Sequence, residues 1–160
     1  MKNISDHDNP AELRQLMANA RRLGREDIYW LAFRHLCALD GMVGNDALHS
    51  DFYATLCAYE ELLSEKNSRT TRANRTRQKL ARHGVIKCLE DWASDSKETQ
   101  GFTILVDNGL VELTGEFLVL KHPEHFSPKA ISSARKRLKG VEDSKEIGAM
   151  LDALGIKLSD

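Results

Sequence analysis

Helix start and stop signals recur along this chain at intervals that leave little room for a sheet. Asn9-Pro10 opens the first helix with an N-cap residue and a proline at the first helical position; Glu12 follows in the first turn, and Gly24 comes after the last apolar residue. Between those signals Leu13, Leu16, Met17, Ala20 and Leu23 recur at three- and four-residue steps, which puts them on one helical stripe. Ser127-Pro128 repeats the opening, with Ile131, Ala134 and Leu138 turned inward and Gly140 as the stop. The strict apolar–polar alternation of a half-buried strand is nearly absent. The expected fold is all-α: a compact, single-domain multi-helix bundle of about seven to eight short helices over residues 1–160.

The remaining elements follow from the same reading. A second helix over 26–39 carries Ile28, Leu31, Ala32, Leu36 and Leu39 and stops at Gly41, and the short link at Gly24 and Arg25 predicts an antiparallel helical hairpin at the N-terminus. A longer helix over 46–66 carries Leu48, Phe52, Leu56, Tyr59, Leu62 and Leu63 and ends at the polar pair Asn67-Ser68. Residues 69–82 read as a helix that stops at Gly84, after which helical patterning resumes over 85–93. Residues 102–106 and 110–121 suit helix better than strand, and a terminal helix over 144–154 is capped by Gly155. Residues 1–8 are expected to be a flexible N-terminus. Residues 94–100, polar and without an apolar anchor, are expected to be a mobile linker between two helical halves.

With 41% hydrophobic and 29% charged residues, the chain has the composition of a folded domain and not that of a disordered one. Cys37, Cys57 and Cys88 are odd in number and sit beside apolar residues, which suits reduced core thiols better than disulfides. No apolar run resembles a signal peptide or a membrane span, so a cytoplasmic location without a membrane partner is expected.

The net charge of −1 conceals an uneven layout. Residues 1–67 hold 7 basic and 11 acidic side chains, 68–89 hold 7 and 0, 90–126 hold 2 and 8, and 127–160 hold 7 and 5. On a helical wheel Arg69, Arg72, Arg75, Lys79 and Arg82 fall within an arc of roughly 140°. Like charges at such spacings disfavour a helix unless anions neutralise them, and the arginine fork suits phosphate oxygens. Thr70, Thr71, Asn74, Thr76 and Gln78 add neutral donors between the cations. Arg77 falls on the inward side, with Glu61 or Glu65 as candidate partners. The helix from Pro128 repeats the theme with Lys129, Arg135, Lys136 and Lys139.

These features make Arg69, Arg72, Arg75, Lys79, Arg82, Lys136 and Lys139 the candidate nucleic-acid contacts. The expected function is that of a small regulatory or accessory protein that binds nucleic acid, DNA in preference to RNA, through the phosphate backbone. The alternative is a helical interaction module for an acidic or apolar protein partner. The plainest alternative is a solvated face whose arginines pair with Glu60, Glu61 and Glu65, although exposed pairs of that kind contribute only about 0–1 kcal/mol each. A compact helix-turn-helix is disfavoured by the length of the third helix.

No reaction is specified. There is no Gly-rich phosphate loop, and the proline in His122-Pro123-Glu124-His125 prevents the i, i+4 pairing of a zinc helix. No catalytic residue, metal ligand or cofactor is assigned. A metal-dependent hydrolase built on Glu61, Glu65 and the histidines is the most remote reading.

Overall fold

The computed structural model describes residues 3–142 and 144–158, and among these it is entirely helical, with eight α-helices and no strand. By contacts the chain divides into two compact units, Met1–Ala58 and Tyr59–Asp160, the division falling inside the third helix. The 94–100 segment lies within the second unit.

In the first unit, α1 (Pro10–Arg22) and α2 (Glu26–Gly41) form the N-terminal helical hairpin. The Asn9 side chain accepts the Ala11 N–H at 2.9 Å, so the sequence signal for the start of α1 is realised as a cap. Leu13, Met17 and Ala20 of α1 and Ala32, Phe33 and Leu36 of α2 are buried. Leu31, expected on the core face, is 57% exposed and instead lines an open groove with Ile4, Leu16 and Ile28. The N-terminal segment contains a 3-10 turn at Ile4–Asp6, after which the His7 carbonyl meets His35 Nε2 at 2.7 Å; residues 1 and 2 lie outside the described residues. The third helix, α3 (Ala47–Asn67), starts in this unit with Leu48, Phe52 and Leu56 buried.

The second unit takes the rest of α3 and packs α4 (Asn74–Ser94), α6 (Gly115–Lys121) and α7 (Pro128–Lys139) against one another. Residues 117–120 of α6 are all buried among Cys88, Leu89, Ala130, Ala134 and other apolar residues of the unit's core. The 110–121 stretch is not one helix. Val111–Leu113 forms a 3-10 turn, and the Thr114 hydroxyl donates to the Val111 carbonyl at 2.7 Å while accepting the Phe117 N–H at 3.2 Å, so α6 begins at a new cap. Thr99 caps α5 (Gln100–Asp107) in the same way, and α8 (Ser144–Ala153) closes the unit through Ile147 and Leu151.

Candidate nucleic-acid interface

The basic segment is a tethered loop followed by a helix, which corrects the single helix expected over 69–82. α4 begins at Asn74, and Arg69 and Arg72 belong to the loop before it. The cause is the way α3 ends. Ser68 has φ 54°, its N–H donates to the Glu65 carbonyl at 3.2 Å, and the Arg69 N–H reaches back to the Ser64 carbonyl at 3.1 Å. This is a Schellman reversal, which turns the chain out of the helix.

The loop is then tied to α3. Ser64 Oγ accepts the Thr71 N–H at 2.8 Å and donates to the Thr71 carbonyl at 3.2 Å. Asn67 Nδ2 donates to Thr71 Oγ1 at 3.2 Å, and the Ala73 N–H donates to Glu60 Oε2 at 2.8 Å. Positions 60, 64 and 67 follow helical spacing, so one face of α3 holds the whole loop.

Glu60 is the anchor. Besides the Ala73 amide it accepts from Arg77 Nε at 2.6 Å and Arg77 Nη2 at 2.5 Å. Burial pushes its carboxyl up, but hydrogen bonds from Arg77 and Ala73 and the charges of Arg77 and Arg72 outweigh that and leave it below the usual carboxylate range. Arg77 is therefore structural, as its wheel position implies, and its bidentate partner is Glu60, not the expected Glu61 or Glu65. The late start of α4 puts Arg77 in the helix's first turn, next to the carboxylate that receives Ala73.

Gly84 breaks α4 with φ 85° and ψ 175°, a conformation open essentially only to glycine. In an unbroken helix positions 79 and 91 would be about 18 Å apart along the axis. Here Lys79 forms an ion pair with Asp91, which also takes Lys87 Nζ at 3.0 Å. The hydrogen bond from Lys79 is the main reason that the Asp91 carboxyl lies below its ordinary value. Lys79 is thus half-buried and paired, whereas Arg69, Arg72, Arg75 and Arg82 are exposed. Thr70, Asn74 and Gln78 are exposed among them. On α4 itself, Arg75, Gln78 and Arg82 fall within an arc of roughly 60°.

On α7, Lys129, Lys136 and Lys139 are exposed at helical spacing, and Arg135 is half-buried. Arg137 turns inward, where its Nη1 donates to Glu116 at 3.2 Å and to the Trp92 carbonyl at 3.0 Å, and its Nη2 donates to the Asp95 carbonyl. Burial pushes the Glu116 carboxyl up to about 7, with the charge and hydrogen bond of Arg137 acting in the opposite sense. Glu90 seats the start of α7 by accepting both the N–H and the hydroxyl of Ser127 at 2.8 Å.

His35, His49 and Glu60 each have a partner in local structure. His49 Nδ1 meets Asp46 at 2.8 Å at the start of α3, His35 meets the His7 carbonyl, and Glu60 is engaged by Arg77. His125 lies 3.6 Å from Glu124. Among the described residues no group of three or more His, Cys, Asp or Glu is placed to hold a metal ion, and no helix is long and apolar enough to cross a membrane. The three cysteines are buried, and burial pushes the Cys88 thiol up.

The arrangement defines a class: an all-α protein with a tethered cationic loop that leads into a cationic helix start. No family model, curated protein or solved structure matches the chain.

Proposed function

We propose that the chain is a small nucleic-acid-binding accessory protein that grips a phosphate backbone through Arg69 and Arg72 of the loop and Arg75 and Arg82 of α4. The observation that carries this reading is that four exposed arginines sit on a segment tied to α3 by Glu60, Ser64 and Asn67. Glu60 is engaged by Arg77 and by the Ala73 amide, and an external anion bound at the four exposed arginines would relieve the repulsion among them. Pre-ordering the loop removes part of the entropy cost of binding, and the exposed Thr70, Asn74 and Gln78 offer neutral donors to phosphate oxygens. Lys136 and Lys139 of α7 are further contacts in this reading. Duplex DNA is the first ligand, RNA the second, and a cytoplasmic regulatory setting fits a protein of this size and charge layout.

The test is anisotropy with labelled duplex DNA, duplex RNA and single strands over a salt series. Four phosphate contacts give a slope of about −4 for log affinity against log salt on duplex DNA, and each added lysine contact steepens it by about 1. Arg75→Ala should flatten the slope by about 1, whereas Lys79→Ala, which removes a cation already paired with Asp91, should leave it unchanged. Absence of binding to all three ligands at low salt would overturn the proposal, as would unchanged affinity in Arg72→Ala/Arg75→Ala. Tighter binding to an acidic protein than to any nucleic acid would transfer the face to the alternative partner.

A further inference from the structure

The second unit also holds a concavity of the opposite sign. A pocket of about 500 Å³ is floored by Phe102 and Val106 of α5 and by Ile147 and Met150 of α8. Its volume lies in the range of pockets that bury small ligands or anchor side chains. Glu98 precedes α5 and Asp107 ends it, Glu142 precedes α8 and Glu146 lies in its first turn, and all four line the pocket and are exposed. Among the described residues, no lysine or arginine lines it. The Arg137 guanidinium stands 6.0 Å from the Phe102 ring and is engaged by Glu116 and by the Trp92 and Asp95 carbonyls.

We infer that this pocket docks a partner peptide in which an apolar side chain is flanked by lysine or arginine. The floor calls for an apolar anchor, since a bare cation would leave the accessible faces of Val106 and Met150 uncovered. The acids stand on two separate stretches of chain, so charge complementarity calls for cations on both sides of that anchor. Nucleic acid is repelled here. The pocket and the arginine loop therefore select opposite classes of ligand, and a basic partner can be held without occupying the phosphate-binding face.

The full chain should be titrated with a fluorescein-labelled hexapeptide of alternating Arg and Leu, alongside counterparts in which Glu replaces Arg or Ser replaces Leu. Saturable binding of the Arg/Leu peptide is expected, weakened about tenfold or more in each counterpart. The double variant Glu142→Lys/Glu146→Lys and the single variant Met150→Asp should weaken it to a similar degree, with thermal melts followed by circular dichroism confirming that both remain folded. Arg72→Ala/Arg75→Ala should leave peptide binding unchanged, so that failure of the nucleic-acid reading and failure of this one are told apart. No saturable binding, equal binding of the Ser counterpart, indifference to Glu142→Lys/Glu146→Lys, or full displacement by spermidine at the same charge concentration would each overturn the docking site.

Discussion

Replacing Glu60 by Gln removes one negative charge from a position where three hydrogen bonds converge, and it keeps an amide oxygen able to receive the Ala73 N–H. The change therefore separates the charge of Glu60 from its geometry. Its side chain is 13% exposed, and that of Arg77 is 39% exposed. Breaking a fully buried pair costs about 3–5 kcal/mol, and solvent around Arg77 screens part of that. A loss of about 1–3 kcal/mol is expected for Glu60→Gln and a larger one for Glu60→Ala, which also abandons the Ala73 amide. Urea denaturation at neutral pH measures it, and a double-mutant cycle with Arg77→Met should return a coupling of about 1 kcal/mol or more. Because the folded carboxyl titrates below its unfolded value, its contribution is present above the ordinary carboxylate range and is lost as pH falls through the folded value. The gap between wild type and Glu60→Gln should accordingly close in acid. A gap under about 0.3 kcal/mol at neutral pH, or one that persists unchanged in acid, would refute the role of Glu60 as the loop's charged anchor.

Other perturbations test the backbone and the buried pair. Ser68 occupies the left-handed position of its helix cap, where α1, α5 and α8 use Gly24, Gly109 and Gly155 with φ of 72°, 73° and 75°. Ser68→Gly should stabilise the protein by about 0.5–1 kcal/mol in thermal melts, the relief of strain being partly offset by extra freedom of the unfolded chain. A Cβ at Gly84 would meet nothing within 4 Å, so Gly84→Ala isolates the backbone cost, expected at about 1–3 kcal/mol in the same assay. Glu116 has a folded value raised to about 7, so its contribution is full below its ordinary value and is lost as pH rises through about 7. Stability measured from pH 5 to 8 should fall by on the order of 3 kcal/mol in the wild type and stay flatter in Glu116→Gln.

The sequence is most legible where a side chain acts on its own neighbours. Asn9, Thr99, Thr114 and Ser127 all accept amides of their own first turns, and of these Asn9 and Ser127 were also announced by the proline that follows. Reading failed where one residue type serves two ends of a helix. Ser68 has the chemistry of an N-cap, so a helix starting at Arg69 looks natural, yet the chain uses Ser68 to close α3. The five-residue delay that follows moves Arg69 and Arg72 off the wheel and changes the partner of Arg77. The pairing of Lys79 is hidden for a different reason: its partner, Asp91, is local only because Gly84 bends α4, and a wheel drawn on either half contains no trace of the other.

The placement of the acids is the strongest physical argument about the arginines. In a chain with 24 acidic and 23 basic side chains, an exposed cation could ordinarily be dismissed as one that happened to lack a neighbour. Here four acids of the second unit have work of a definite kind. Glu60 holds Arg77 and the start of α4, Asp91 holds Lys79 and Lys87 across the bend, Glu90 seats α7, and Glu116 holds Arg137. Of the cations so engaged, Lys79 and Arg77 are half-buried and Arg137 is almost wholly covered, whereas Arg69, Arg72, Arg75 and Arg82 are exposed. Acidic substitutions beside those four, such as Thr70→Glu or Gln78→Glu, would supply the surface pairing that stability alone favours. The native side chains there are neutral hydrogen-bond donors, which offer little to a solvated face and suit a phosphate backbone directly.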